Sequence, residues 1–153
     1  FKDNKIENFY RYAYYTYYTN GDQFIKNDVS RVNATSRNLY SSPYFVYAGY
    51  CYSSSRSTSI DGNNFHDIPY PKATVGISST TYGIYANRVY GNSTNHLNIS
   101  NNTMKDIRSD GTVYGVYANY CYYTDIDKNT IRDWYMNGSS SSFWGIRGYY
   151  CYN

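Results

Sequence analysis

Charge is scarce in this chain and leucine scarcer. Asp, Glu, Lys and Arg make up 16% of the 153 residues, and Leu occurs only at positions 39 and 97. The net charge of +3 comes from scattered Lys and Arg with no basic cluster, which argues against nucleic-acid binding. No apolar run approaches the length needed to cross a bilayer, and no signal peptide is visible. Cysteine appears only as Cys51, Cys121 and Cys151, and no Cys/His spacing resembles a metal site. His66 and His96 fall at different places in the repeat described below, so they form no nucleophile–base pair.

What is abundant is tyrosine, 24 residues of it, with Ser, Thr and Asn filling the polar positions. Such a surface suits an extracellular or cell-surface protein. A nine-residue pattern (apolar, two polar, Asn, one polar, apolar, two polar, apolar) occurs five times. The copies are residues 1–9 (FKDNKIENF), 24–32 (FIKNDVSRV), 60–68 (IDGNNFHDI), 99–107 (ISNNTMKDI) and 126–134 (IDKNTIRDW). A second pattern lies between them: 82–90 (YGIYANRVY) and 114–122 (YGVYANYCY), more loosely 44–52 (YFVYAGYCY) and 144–152 (WGIRGYYCY), and most weakly 10–17 (YRYAYYTY). Self-similarity at this period is the signature of a solenoid. The chain divides into coils 1–23, 24–59, 60–98, 99–125 and 126–153 of a single domain. Variable loops fall at 32–43, 69–81, 108–113 and 135–142. Neither end carries an evident capping unit, so the expectation is a piece of something longer or self-stacking.

The apolar offsets 0, 5 and 8 spread too widely for a tidy helical face, and the residues between them are poor helix formers. On one straight strand the odd spacings would alternate faces. A bend between them brings all three inside, and the Asn at offset 3 is the expected bend, since Asn tolerates left-handed geometry. Short strands joined by tight bends in register describe a right-handed parallel β-helix of about five coils with uncapped ends, an all-β fold. The I-x-x-N-x-I and Y-G-I-Y elements resemble the repeats of right-handed parallel β-helices of the pectate-lyase-like superfamily. Leucine-rich repeats are the competing solenoid, and their framework needs Leu that this chain lacks. The resemblance speaks to fold; enzymes, adhesins and structural stacks share it.

Equivalent residues of successive coils stack about 4.8 Å apart. The expected core columns are Phe1/Phe24/Ile60/Ile99/Ile126, Ile6/Val29/Phe65/Met104/Ile131 and Phe9/Val32/Ile68/Ile107/Trp134. Asn4, Asn27, Asn63, Asn102 and Asn129 form a column that reads as an amide ladder. Thr16, Cys51, Val89, Cys121 and Cys151 read as an interior slot of small side chains, with the thiols buried and reduced. Tyr17, Tyr52, Tyr90, Tyr122 and Tyr152 then face out by alternation, beside a column of Tyr47, Tyr85 and Tyr117 followed by Arg147. These stripes read either as self-packing or as a platform for sugar rings or a neighbouring fibre.

Asp67, Asp106 and Asp133 form an acidic column in three consecutive coils. It is either turn chemistry or the acidic centre of a lyase or hydrolase, with Ca²⁺ as the one candidate cofactor. Among the N-x-Ser/Thr acceptors, Asn33, Asn92 and Asn137 lie in predicted loops, whereas Asn98 and Asn101 flank a strand. Serines 53–55 and 139–142 are candidates for O-linked sugar. The expected function is a structural or adhesive extracellular segment that associates with itself end to end or laterally and carries or meets glycans. The alternative is a polysaccharide-acting enzyme or carbohydrate-binding module.

Overall fold

The computed structural model describes residues 1–32, 42–68, 80–136 and 141–152, and among them there is no helix. The first coil carries β1 (Lys5–Glu7) and β2 (Tyr12–Tyr17). The second carries β3 (Gln23–Ile25), β4 (Asp28–Ser30) and β5 (Tyr44–Gly49). The third carries β6 (Thr58–Asp61), β7 (Asn64–Ile68) and β8 (Thr81–Asn87). The fourth carries β9 (Leu97–Ser100), β10 (Thr103–Ser109) and β11 (Val113–Asn119). The fifth carries β12 (Thr124–Asp127), β13 (Thr130–Met136) and β14 (Phe143–Tyr149). Three parallel sheets result, ordered β3-β6-β9-β12, β1-β4-β7-β10-β13 and β2-β5-β8-β11-β14. Each strand pairs only with its equivalents one coil away, so the chain is an all-β parallel solenoid of about five coils.

Left-handed backbone residues at fixed offsets let the odd apolar spacing work. The first set is Asp3, Lys26, Gly62, Asn101 and Lys128, all with φ between 52° and 65°. These immediately precede the repeated Asn, which corrects the expectation that the Asn itself is the bend. The backbone turns at the residue before it, and the Asn side chain is thereby carried inside. A second left-handed position follows at offset 7, in Asn8, Asp67, Asp106 and Asp133. Without it the residue at offset 8 would point to solvent by simple alternation. With it Phe9, Ile68 and Ile107 turn inward and are buried.

The second coil lacks this device. Strand β4 stops at Ser30, Arg31 has no positive φ, and it is Arg31 that is buried while Val32 stays half-exposed. Val32 therefore leaves the expected core column.

The first coil departs too. Thr16 pairs with Ala48 and Tyr17 with Gly49, while Asn20 bridges Tyr52. The copy of the second pattern in coil 1 is thus 12–20, displaced from the 10–17 block that matched Ala13 to Ala48. Thr19 occupies the cysteine column, where its hydroxyl donates to Cys51 Sγ at 3.3 Å, and Asn20 occupies the tyrosine column in place of Tyr17. An additional Tyr, Tyr15, joins Tyr47, Tyr85 and Tyr117.

The core is a single cluster running the length of the stack. Phe24, Val29, Ile60, Phe65, Ile84, Ile99, Met104 and Val116 are all essentially inaccessible. Close approach of successive coils requires glycine at this position of the second pattern in the third and fourth coils, where the second coil has Phe45. A Cβ on Gly83 would lie 2.4 Å from the Gly115 carbonyl oxygen, and one on Gly115 would lie 2.5 Å from that of Gly145. No side chain fits between those rungs.

Candidate functional site

The asparagine column is a closed hydrogen-bond system in the interior. Asn27 Oδ1 accepts the main-chain N–H of Asn4 at 3.0 Å and its Nδ2 at 3.1 Å. Asn63 does the same for Asn27 (2.9 and 3.0 Å), Asn102 for Asn63 (3.1 and 2.9 Å), and Asn129 for Asn102 (3.1 and 2.9 Å). The other Nδ2 hydrogen points backward. Asn63 donates to the Phe24 carbonyl, Asn102 to that of Ile60 and Asn129 to that of Ile99, at 2.7–2.8 Å. Asn27, Asn63 and Asn102 are buried, and satisfying every polar atom is what makes that burial tolerable. The ladder has a direction, with donors facing the fifth coil and acceptors the first.

The outer face of β2-β5-β8-β11-β14 is paved with rings. Tyr12, Tyr44, Tyr82 and Tyr114 stack at centroid distances of 5.4, 4.7 and 5.2 Å with interplanar angles of 20° or less. Beside them run Tyr15, Tyr47, Tyr85 and Tyr117 at 5.2–5.4 Å. The two columns interlock, for example Tyr44 with Tyr47 at 5.3 Å and Tyr82 with Tyr85 at 5.0 Å. Arg147 closes the top, its guanidinium 5.6 Å from the Tyr114 ring and 5.4 Å from Tyr117. Burial raises the Tyr82 hydroxyl pKa and, with neighbouring phenols, pushes that of Tyr85 up to about 12. The Tyr12–Tyr114 column is a part of this face that the sequence reading passed over, although the leading Tyr of Y-G-I-Y signals it.

Tyr52, Tyr90, Tyr122 and Tyr152 form a separate ridge at the next corner, with rings 5.4–5.6 Å apart and tilted by 30–38°. A third aromatic line, also missed, sits at left-handed residues: Tyr18, Tyr50, Arg88, Tyr120 and Tyr150. Arg88 lies between the rings of Tyr50 and Tyr120 at 5.0 and 5.8 Å. In the Tyr12–Tyr114 column the ring faces turn toward one another along the axis, while the neighbouring columns mix stacked, tilted and edge-on pairs. Sugar rings stack on open aromatic faces, and inner rings of the paved sheet have those faces covered. The geometry therefore favours self-packing of the columns.

The acidic column has a backbone explanation. Asp67, Asp106 and Asp133 are the left-handed residues of β7, β10 and β13, with φ of 51°, 53° and 55°, a conformation Asp and Asn adopt most readily. Asp67 Oδ2 lies 2.8 Å from His66 Nδ1, and His66 Nε2 lies 3.0 Å from Asp28 Oδ1. Asp133 pairs with the adjacent Arg132. Among the described residues no three His, Cys, Asp or Glu side chains come together as a cation site.

Cys51 and Cys121 are buried free thiols, whereas Cys151, in the fifth coil, is exposed. Cys121 and Cys151 share a hydrogen bond between coils. Donating to Cys151, together with burial, raises Cys121, and accepting that bond pushes Cys151 down to about 6.

Of the glycosylation candidates, Asn33 and Asn137 lie outside the described residues. Asn92 caps its own turn: Oδ1 accepts the N–H groups of Thr94 and Asn95 at 2.9 Å, and Nδ2 donates to the Ser53 carbonyl at 3.2 Å. Asn98 lies within β9, and Asn101 Nδ2 is bonded to Asp61. Ser53 is itself buried, its hydroxyl bonded to Thr58, which removes it as a sugar acceptor in the folded chain.

Comparison with protein-family models, with curated proteins and with solved structures returns no match for this chain.

Proposed function

We propose that this chain is a rod-forming segment of an extracellular or cell-surface fibre, structural or adhesive in role, related at the level of fold to the pectate-lyase-like β-helices. The observation that carries this reading is that each strand pairs only with its equivalents one coil away, so that the core, the asparagine ladder and the tyrosine columns all run along one axis. A solenoid stabilised coil by coil in this way is quasi-one-dimensional, which suits a rod.

Self-packed tyrosine columns and an internal ladder whose buried members are hydrogen-bonded stiffen a rod. Low charge and abundant Ser, Thr and Asn suit a glycan-rich exterior. The competing reading, an enzyme acting on polysaccharides through Asp67, Asp106 and Asp133, loses its main support once those residues are accounted for by the left-handed backbone.

Static light scattering and negative-stain microscopy across a concentration series test the proposal. The expected result is growth of unbranched rods one solenoid wide. Monomers at every concentration would overturn it.

A further inference from the structure

We infer that the ridge of Tyr52, Tyr90 and Tyr122 is a site of oxidative cross-linking. There a haem peroxidase with hydrogen peroxide joins Tyr90 to the phenol one coil away and ties the middle coils together covalently. The inference needs no second copy of the chain and stands apart from the rod reading above.

The ridge lies in the interior of the stack. Tyr52 bridges Tyr90, and Tyr90 bridges Tyr122, in parallel register, so successive backbones stand about 4.8 Å apart. The ring centroids are 5.6 Å apart in both pairs, with the planes tilted by 35° and 38°. Asn20 of the first coil bridges Tyr52, and Tyr152 of the fifth bridges Tyr122, so no ring of the three owes its exposure to a missing neighbour. Even so Tyr52 is 44% and Tyr122 38% exposed, with Tyr90 half-buried between them. Among the described residues their ring contacts run only along the column, which leaves each ring room to turn.

Other close phenols are held. On the paved face Tyr44 and Tyr82 lie face on face, 4.7 Å apart with planes within 4°, and Tyr47 and Tyr85 flank them at 5.3 and 5.0 Å. A bond between two phenols joins ring edges, so a ring would have to leave that interlocked stack to form one. Burial also raises the pKa of the Tyr82 and Tyr85 hydroxyls, and a phenol must give up its proton along with its electron. In the left-handed line Arg88 replaces the tyrosine between Tyr50 and Tyr120, donates to the Tyr50 hydroxyl and sets its guanidinium near both rings. A cation there opposes the removal of an electron from either ring.

The chemistry is a two-electron oxidation. Each phenol loses one electron and its hydroxyl proton and becomes a phenoxyl radical. The two radicals form a carbon–carbon bond between ring carbons ortho to oxygen. The hydrogens on those carbons leave as protons and the oxygens take protons up, which restores both phenols. Two electrons and two protons pass in all to hydrogen peroxide, which becomes two molecules of water. A phenol has two ortho carbons, so Tyr90 can be joined to Tyr52 and to Tyr122 in turn.

Such a bond supplies a staple that the thiols do not. All three cysteines are free, and Cys51 and Cys121, which adjoin this ridge, are two coils apart with Val89 between them. A link through Tyr90 closes a long loop and restricts the unfolded chain as a disulfide does.

For the test, the exposed Cys151 is first alkylated so that its thiol does not quench radicals. The folded chain is then treated at low concentration with peroxidase and limiting hydrogen peroxide. Dityrosine fluorescence measures the yield, and mass spectrometry of a digest locates the linked peptides. The expected product is a monomer lighter by two hydrogens, with Tyr90 linked to Tyr52 or Tyr122 as the dominant pair and the urea midpoint shifted upward. Tyr90→Phe keeps a ring in the column but removes the phenol, and should cut the intrachain yield severalfold. Tyr82→Phe on the paved face should leave the yield unchanged. In the urea-unfolded chain the 24 tyrosines compete on equal terms, and the preference for Tyr90 should vanish. Four results would each overturn the inference: no intrachain dityrosine in the folded chain, links chiefly on the paved face or among the first-coil tyrosines, undiminished coupling in Tyr90→Phe, or a Tyr90 preference that survives in urea. Rod growth, read by light scattering, is a separate result and alters none of these outcomes.

Discussion

The third and fifth coils carry the same two patterns and the same strands, yet they differ in what holds them. Phe65 on β7 is sandwiched between coils two and four and is inaccessible, in contact with Phe24 and Phe45 at ring distances of 6.5 and 5.8 Å. Among the described residues Phe143 on β14 has one ring neighbour, Trp134 at 5.6 Å, and it is 47% exposed. The lesson is that a coil here is stabilised by its neighbours on either side, as nearest-neighbour models of repeat proteins assume.

The largest effect that separates the two is truncation of the ring. Phe65→Ala should cost about 3–5 kcal/mol, as large-to-small core changes do, whereas Phe143→Ala should cost about 1 kcal/mol or less in the monomer. Urea denaturation followed by circular dichroism checks both, with the monomer held at low concentration. Equal losses would mean that the chain unfolds without regard to coil position.

The asparagine ladder sharpens the same comparison with a smaller effect. Asn63→Ala leaves the Asn27 N–H, the Asn27 amide and Asn102 short of partners in a buried setting, at a cost of about 2–4 kcal/mol. Asn4→Ala at the end removes a half-exposed side chain whose bonds solvent can replace, at about 1 kcal/mol. Amide hydrogen exchange at Asn27 distinguishes loss of the ladder from general loosening.

Smaller again is the glycine pair. Gly83→Ala places a Cβ against the Gly115 backbone and should destabilise by about 1–3 kcal/mol, as overpacking does. In Gly145→Ala the nearest atom is 3.9 Å away, so the monomer should be unaffected.

Five asparagines at one offset and apolar residues at offsets 0 and 5 made the stack legible from the chain alone, because each column repeats a physical demand. The precise turning point was less legible. Asp3, Lys26, Gly62, Asn101 and Lys128 share no side-chain chemistry; what they share is a backbone conformation, which a sequence shows only weakly. Coil 1 misled for a different reason. So many Tyr occur between residues 10 and 18 that several registers match equally well, and the Thr19–Cys51 and Asn20–Tyr52 pairings break the tie. For the acidic column, Asp was readable but its role was not, since left-handed geometry and catalysis ask for the same residue.

The smallest effect concerns the thiols, and its sign differs on the two sides of neutrality. Cys151 in the fifth coil is depressed to about 6, and Cys121 one coil below is raised by donating to it and by burial. In the unfolded chain both titrate near an ordinary thiol value of about 8.5. Between pH 6 and about 8.5 the folded chain has released a proton that the unfolded chain keeps, so stability rises with pH through that window. Above it the unfolded chain loses the Cys121 proton that the folded chain retains, and stability falls. The raised Tyr82 and Tyr85 add to that fall as pH climbs past 10, because their contribution is full below the unfolded value and is lost as pH passes the folded one. The midpoint of urea unfolding should therefore pass through a shallow maximum near pH 8, and Cys151→Ser should remove the acid limb and weaken the alkaline one, since Cys151 is the first cause of the raised Cys121. Iodoacetamide should label Cys151 at pH 7 well before Cys51 or Cys121, since it is exposed and they are buried. Equal labelling of all three would show that the fifth coil is no more open than the coils beneath it.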